Sequence, residues 1–196
     1  MQIGAHRADD LCMPTTHDET RRRAVSGFTL YDVANSAFVT TVVTAVGGPF
    51  ITAIAEAAED ANGRVAILGL NPRADALYAY ATSLSVLLQV LALPVLGALA
   101  DRSDAKRRLL VLGTGIGAVA TFCLAAVPMG QPLLAVLSFA VANVAFGTAI
   151  LAYNAYLADV AEPPDRDRVS ARGYAFGYAG GAFVLAVTQF AASVAG

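Results

Sequence analysis

The sequence predicts an all-α membrane protein with five transmembrane helices. Three observations carry that prediction. The 196 residues are 57% hydrophobic and 14% charged, whereas a soluble domain carries about 25% charge. The apolar residues gather into five long runs, and about 20 apolar residues suffice for a helix to cross the hydrocarbon. The basic residues fall almost wholly into alternate connections between those runs. With a mean hydropathy of +0.59, the whole chain reads as membrane-embedded, not as one soluble domain with an anchor.

Residues 1–26 form a polar tail ending in Arg21, Arg22 and Arg23. The tail lacks the short apolar core of a cleaved signal peptide, and the run that follows is too long to be one. His6, His17 and Cys12 lie in the tail and Cys123 in an apolar run. No metal-ligand spacing links them, and their separation argues against a disulfide. Neither a metal nor a cofactor is expected.

The spans are read as 27–55, 76–100, 109–128, 132–158 and 173–195. None shows the ten-residue alternation of a membrane β-barrel. Gly47, Gly48 and Pro49 interrupt the first run, and Pro94 the second. Kinks are expected at both. Of the thirteen Lys and Arg residues, only Arg64 and Arg73 fall outside the tail and the second and fourth connections. The positive-inside rule places the N-terminus in the cytoplasm and the 56–74 connection outside. A single lysine, Lys106, against twelve arginines points to a GC-rich bacterial genome and thus to the cell membrane.

The stretch "TLYDVANSAF" puts Asp32 inside the first span. An acid at mid-helix costs about 2.5–3.5 kcal/mol on insertion scales. Asn35 and Ser36 follow at i+3 and i+4 and share its face. Such a face belongs against other helices or a polar cavity, unless the span starts at Leu30 and Asp32 sits among headgroups. The fourth span carries Asn143 and Asn154. An interhelical bond from such a residue is worth about 0.6–2 kcal/mol. Asp159 reads as a loop residue. Gly113 and Gly117 in the third span, and Gly173, Gly177 and Gly181 in the fifth, recur at intervals of four. That spacing lets helix backbones approach closely.

The second connection, "GALADRSDAKRR", puts Asp101 directly after an apolar helix end, where the helix dipole disfavours an anion. This segment resembles the cytoplasmic loop motif of the major facilitator superfamily, Gly-x-Leu-Ala-Asp-Arg-x-Gly-Arg-Arg. Gly97, Leu99, Ala100, Asp101 and Arg102 match, and Arg107 and Arg108 continue the basic run. Asp104 stands where that family has Gly, and Ala105 where it has a basic residue. Three further stretches, "LYDVANSAF", "YNAYLADVA" and "RVSARGYAFGYAGGAF", are similar to the branch holding the vacuolar amino-acid effluxer and its bacterial relatives. The resemblance covers residues 28 to 183.

That resemblance implies a major-facilitator-type N-terminal six-helix half within a carrier of twelve spans that works by alternating access. A small solute, amino acids among the candidates, would move past Asp32, Asn35, Asn143 and Asn154. Asp101 and Arg102 would take part in the charged contacts of a cytoplasmic gate. Gly97 would allow the close approach of a helix from the other half. No arginine lies in the fourth span, which argues against proton-coupled drug export. Five is an odd number, and the chain stops at the end of an apolar run. The expectation is a truncated half whose partners are the lipid bilayer, the solute, and a missing C-terminal half or a second copy.

Other classes fare worse. A net charge of −2 gives no footing for nucleic acid. No Gly-x-Ser-x-Gly, His-Glu-x-x-His or nucleotide-binding Gly-x-x-x-x-Gly-Lys-Ser/Thr occurs. No enzyme is expected. The alternative to a carrier is a degenerate half-carrier or other non-transporting membrane protein that acts only in assembly.

Overall fold

The computed structural model describes residues 16–100 and 103–195. These residues are almost wholly helical. Helix α1 (Thr16–Ala37) passes into a π-helical stretch, Phe38–Val46, and then into α2 (Gly47–Glu56). Four long helices follow: α3 (Leu77–Ala100), α4 (Ser103–Ala125), α5 (Pro132–Val160) and α6 (Arg166–Ala195). Short 3-10 turns at Ala74–Ala76 and Pro163–Asp165 lead into α3 and α6. Five stretches are long and apolar enough to cross a membrane: Glu19–Glu56, Ala74–Ala100, Ala105–Ala125, Pro132–Val160 and Pro163–Val194. The protein is a multi-pass, all-α membrane protein.

Helix limits differ from the apolar runs for physical reasons. The first helix reaches back to Thr16, because polar residues can continue a helix beyond the hydrocarbon. The third ends at Ala125, ahead of Pro128. Asp159, expected in a loop, lies in the last turn of α5. Pro94 sits inside an unbroken α3, as transmembrane helices tolerate where neighbours satisfy the freed backbone groups. The Gly-Gly-Pro interruption takes the form of the π-helical stretch before it. The Gly47 N–H reaches back five residues to the Val42 carbonyl. The Val43 carbonyl instead accepts the Tyr78 hydroxyl of α3.

Helix α5 is the centre of the bundle. It packs against α3, α4 and α1, while α6 packs on α1 and the π-helical stretch. The tightest apolar packing lies at one end. There Ile51, Ile54, Leu77, Leu124 and Phe139 are buried together. Residues 57–73 fold over this end as a cap. Val65 of the cap joins the buried cluster. Asp60 accepts the backbone N–H groups of Asn62 and Arg64, so the chain turns on its carboxylate. The tip is a two-residue hairpin. Ile67 and Leu70 exchange N–H···O bonds across Leu68 and Gly69, both with positive φ (50° and 82°).

Candidate transport site

The first and fifth spans run side by side in the same direction. Phe28 and Asp32 meet Gly173, Asp32 and Ser36 meet Gly177, and Ser36 and Thr40 meet Gly181. Each step is one helical turn on both helices. A polar stripe on α1 therefore lies in the groove left by a glycine stripe on α6. The Thr40 hydroxyl spans the interface to the Gly181 carbonyl at 3.3 Å. The missing glycine side chains make this possible. A Cβ on Gly177 would come within 2.7 Å of Ser36 Oγ.

Asp32 is 7% exposed. The Tyr153 hydroxyl of α5 faces its carboxyl group. No ion pair to Asp32 forms among the described residues. An aromatic stack borders it, with Phe28 against Tyr153 at 4.2 Å and Tyr31 against Tyr153 at 5.0 Å. Tyr153 and the stack were not legible in the sequence, where a tyrosine near the end of a span reads as an interface anchor.

The single polar face expected on α1 divides. Asp32 and Ser36 turn to α6. Asn35 lines a groove of about 530 Å³ with Tyr31 and Phe38, walled by α4 and α5. Tyr31 closes one side of it through a 3.0 Å hydrogen bond with Thr114. Asn143 is elsewhere again. Its Nδ2 donates to Ser85 Oγ of α3 at 2.8 Å, and both residues are buried. Asn154 is exposed on α5. The four polar residues singled out in the spans thus occupy four separate environments.

Gly113 lies against the backbone of Ala145 and Ala149, with 3.0 Å from a Cβ position to Ala149 N. Gly117 packs more loosely on Ala145. A Cβ on Gly97 would meet nothing within 4 Å, so this part of α3 stands open. Asp101 and Arg102 lie outside the described residues, while Arg107 and Arg108 are exposed on α4. The described parts of the basic connections lie at one end of the bundle, where ion pairs tie the chain. Lys106 bonds Asp159 at 2.8 Å, and Arg21 bonds Asp165 at 2.7 Å. Both pairs are partly exposed, and such pairs are worth about 0–1 kcal/mol.

The family described as "Vacuole effluxer Atg22 like" matches residues 20–165 of this chain. Over 156 residues the chain is 33% identical to a Bacillus subtilis protein described as an uncharacterized MFS-type transporter, YxiO. That match takes in 79% of this chain and 34% of the relative. The chain thus spans about a third of the length of that curated relative. No solved structure matches. The match takes in the Asp32 stripe on α1, the α4–α5 glycine contact and the whole of α5. The chain belongs to the vacuole effluxer Atg22-like family of MFS-type transporters.

Proposed function

We propose that the chain is part of a secondary carrier that moves a small solute, with amino acids the first class to test, by alternating access. Membership of a transporter family supports this reading. The observation that carries it is Asp32, a buried acid with no cationic partner among the described residues. Burying a lone carboxylate in apolar surroundings is costly. An acid kept there at the seam of two parallel helices suits a solute or ion path. Asn35, Asn143 and Asn154 are proposed as further polar stations on that path.

At the end of the bundle rich in basic residues, Gly97, Asp101, Arg102, Arg107 and Arg108 are proposed as the gate that meets the rest of the carrier. That end faces the cytoplasm of a bacterial cell in this reading. Thiol labelling of cysteines placed at positions 60 and 104 tests the orientation. Label reaching position 60 only from the cytoplasm would reverse it.

Transport needs more than these spans, because alternating access rocks one bundle against another around a site near the midplane. The complete carrier, reconstituted in liposomes with a proton gradient, should take up labelled amino acids saturably. Asp32→Asn should reduce that uptake or change its pH dependence. Uptake untouched by Asp32→Asn removes the acid from the path. The second reading is a non-transporting assembly partner, favoured by the open face at Gly97 and the exposed Phe183 and Phe190 on α6. Absence of uptake from any complete carrier containing these spans would favour it.

A further inference from the structure

Threonines inside these helices mostly satisfy themselves. Thr29, Thr40, Thr121, Thr148 and Thr188 each donate to the carbonyl four residues back. Thr44, in the π-helical stretch, donates five back. Thr114 instead meets Tyr31, while Thr41 and Thr82 have neither kind of bond. The hydroxyls of Thr41 and Thr82 are buried and have no hydrogen-bond partner among the described residues. In hydrocarbon an unsatisfied polar group is costly, so each calls for an occupant.

Contacts of neighbouring residues fix the level of Thr41 and Thr82 along the bundle. Towards the capped end, Tyr78 meets both the Val43 carbonyl and the Phe139 ring. Towards the other end, Phe38 stacks on Phe146 at 5.0 Å, and Gln89 lies over Gly147. Between these two aromatic layers, Asn143 bonds Ser85. Thr41 falls between Phe38 and Val43 on the first span, and Thr82 falls between Tyr78 and Ser85 on the second. Thr82 and Asn143 are roughly 12 and 16 Å from the starts of their spans at 1.5 Å per residue, near the centre of a hydrocarbon core about 30 Å thick. Thr41 also lies in the π-helical stretch, a conformation found often at functional sites.

We infer that Thr41, Thr82 and the Asn143–Ser85 pair form a hydrated polar layer across the first, second and fourth spans, bounded by the two aromatic pairs. Its ligand is an uncharged hydrogen-bonding group, either water or the polar end of a passing solute. The solute half of this assignment rests on the transport reading; the hydration half does not. No ionised side chain belongs to the layer, so recognition there is by hydroxyl and amide bonds. Asp32 lies further from the capped end, beyond Phe38.

The test uses the full chain with Cys12→Ser and Cys123→Ser, in lipid nanodiscs. Thr41→Cys and Thr82→Cys are each exposed to a membrane-impermeant methanethiosulfonate. Ile51→Cys, in the fully buried apolar cluster, serves as the dry reference. Both layer cysteines should react at least about tenfold faster than Ile51→Cys. Rates equal to that of Ile51→Cys, with full reaction after denaturation, would overturn the layer. Thr41→Val and Thr82→Val give a second reading. A dry, unsatisfied hydroxyl is better replaced by a methyl, so a raised melting temperature in both variants also overturns it. Unchanged or lowered values support hydration. In the complete carrier, protection of the same cysteines by glutamine or serine, but not leucine, adds a solute to water as occupant. Reactivity without protection keeps the layer and counts against amino acids as the solute.

Discussion

The Asp32 carboxyl group rests against the bare backbone of Gly173: a Cβ placed on that glycine would lie 3.1 Å from Oδ2. An acid and a glycine on parallel helices thus define how closely the first and fifth spans pack. The same relation repeats one turn on, with Ser36 and Gly177.

Filling that seam should separate the two helices. Gly177→Val is expected to lower stability by about 1–3 kcal/mol, the usual cost of overpacking. Gly115→Ala, where a Cβ meets nothing within 4 Å, should be neutral or slightly stabilising, since alanine favours helix by about 1 kcal/mol over glycine. Thermal unfolding of the two variants in one detergent compares them directly. Equal melting temperatures would show that α1 and α6 do not pack through glycine.

The Asn143–Ser85 bond is the described side-chain link between the second and fourth spans that is fully buried. A double-mutant cycle with Asn143→Ala and Ser85→Ala should give a coupling of about 0.6–1.7 kcal/mol, the range for bonds between membrane helices. Asn143→Ala alone should destabilise more than Asn154→Ala, because Asn154 is exposed. Zero coupling would mean the two side chains do not meet in the folded protein.

Leu68 occupies the left-handed region at φ 50° and is 82% exposed. A leucine there is strained by roughly 1 kcal/mol and loses no packing when replaced. Leu68→Asn should tighten the cap, because Asn suits the first position of this two-residue hairpin. Slower amide exchange across residues 63–70 would register the gain. Faster exchange would contradict the turn geometry.

The cap should also loosen in acid. Backbone N–H groups of Arg64 and Asn62 hold the Asp60 carboxyl below the usual carboxylate range. Between its lowered folded value and the unfolded value of about 3.9, the folded state binds fewer protons. Stability from this turn is therefore complete above the unfolded value and is lost as pH falls through the folded one. Amide exchange at residues 62–65, corrected for intrinsic rates, should rise over that acid window. Asp60→Ala should abolish the pH dependence. A wild-type profile flat to the lowest pH would refute the role of Asp60.

The sequence by itself determined the architecture. Apolar runs long enough to cross a bilayer leave few alternatives to helices, because hydrocarbon offers the backbone no other hydrogen-bond partner. The Gly-x-Leu-Ala-Asp-Arg run, with the three further stretches around Asp32, Asn154 and Gly173, pointed to the transporter family before any contact was known. What only the tertiary structure decided was which polar residues meet. Helical spacing put Asp32 and Asn35 on one face, yet the two lie about 60° apart around an axis with 3.6 residues per turn. With neighbours on several sides, that angle sends one to the α6 glycines and the other to the α4–α5 groove. Tyr153, Thr41 and Thr82 carry no distinctive spacing, and their surroundings come from other helices far along the chain. The π-helical stretch was equally hidden. Gly47, Gly48 and Pro49 marked a break, but the Tyr78 hydroxyl of the second span that donates to the Val43 carbonyl beside it lies far along the chain.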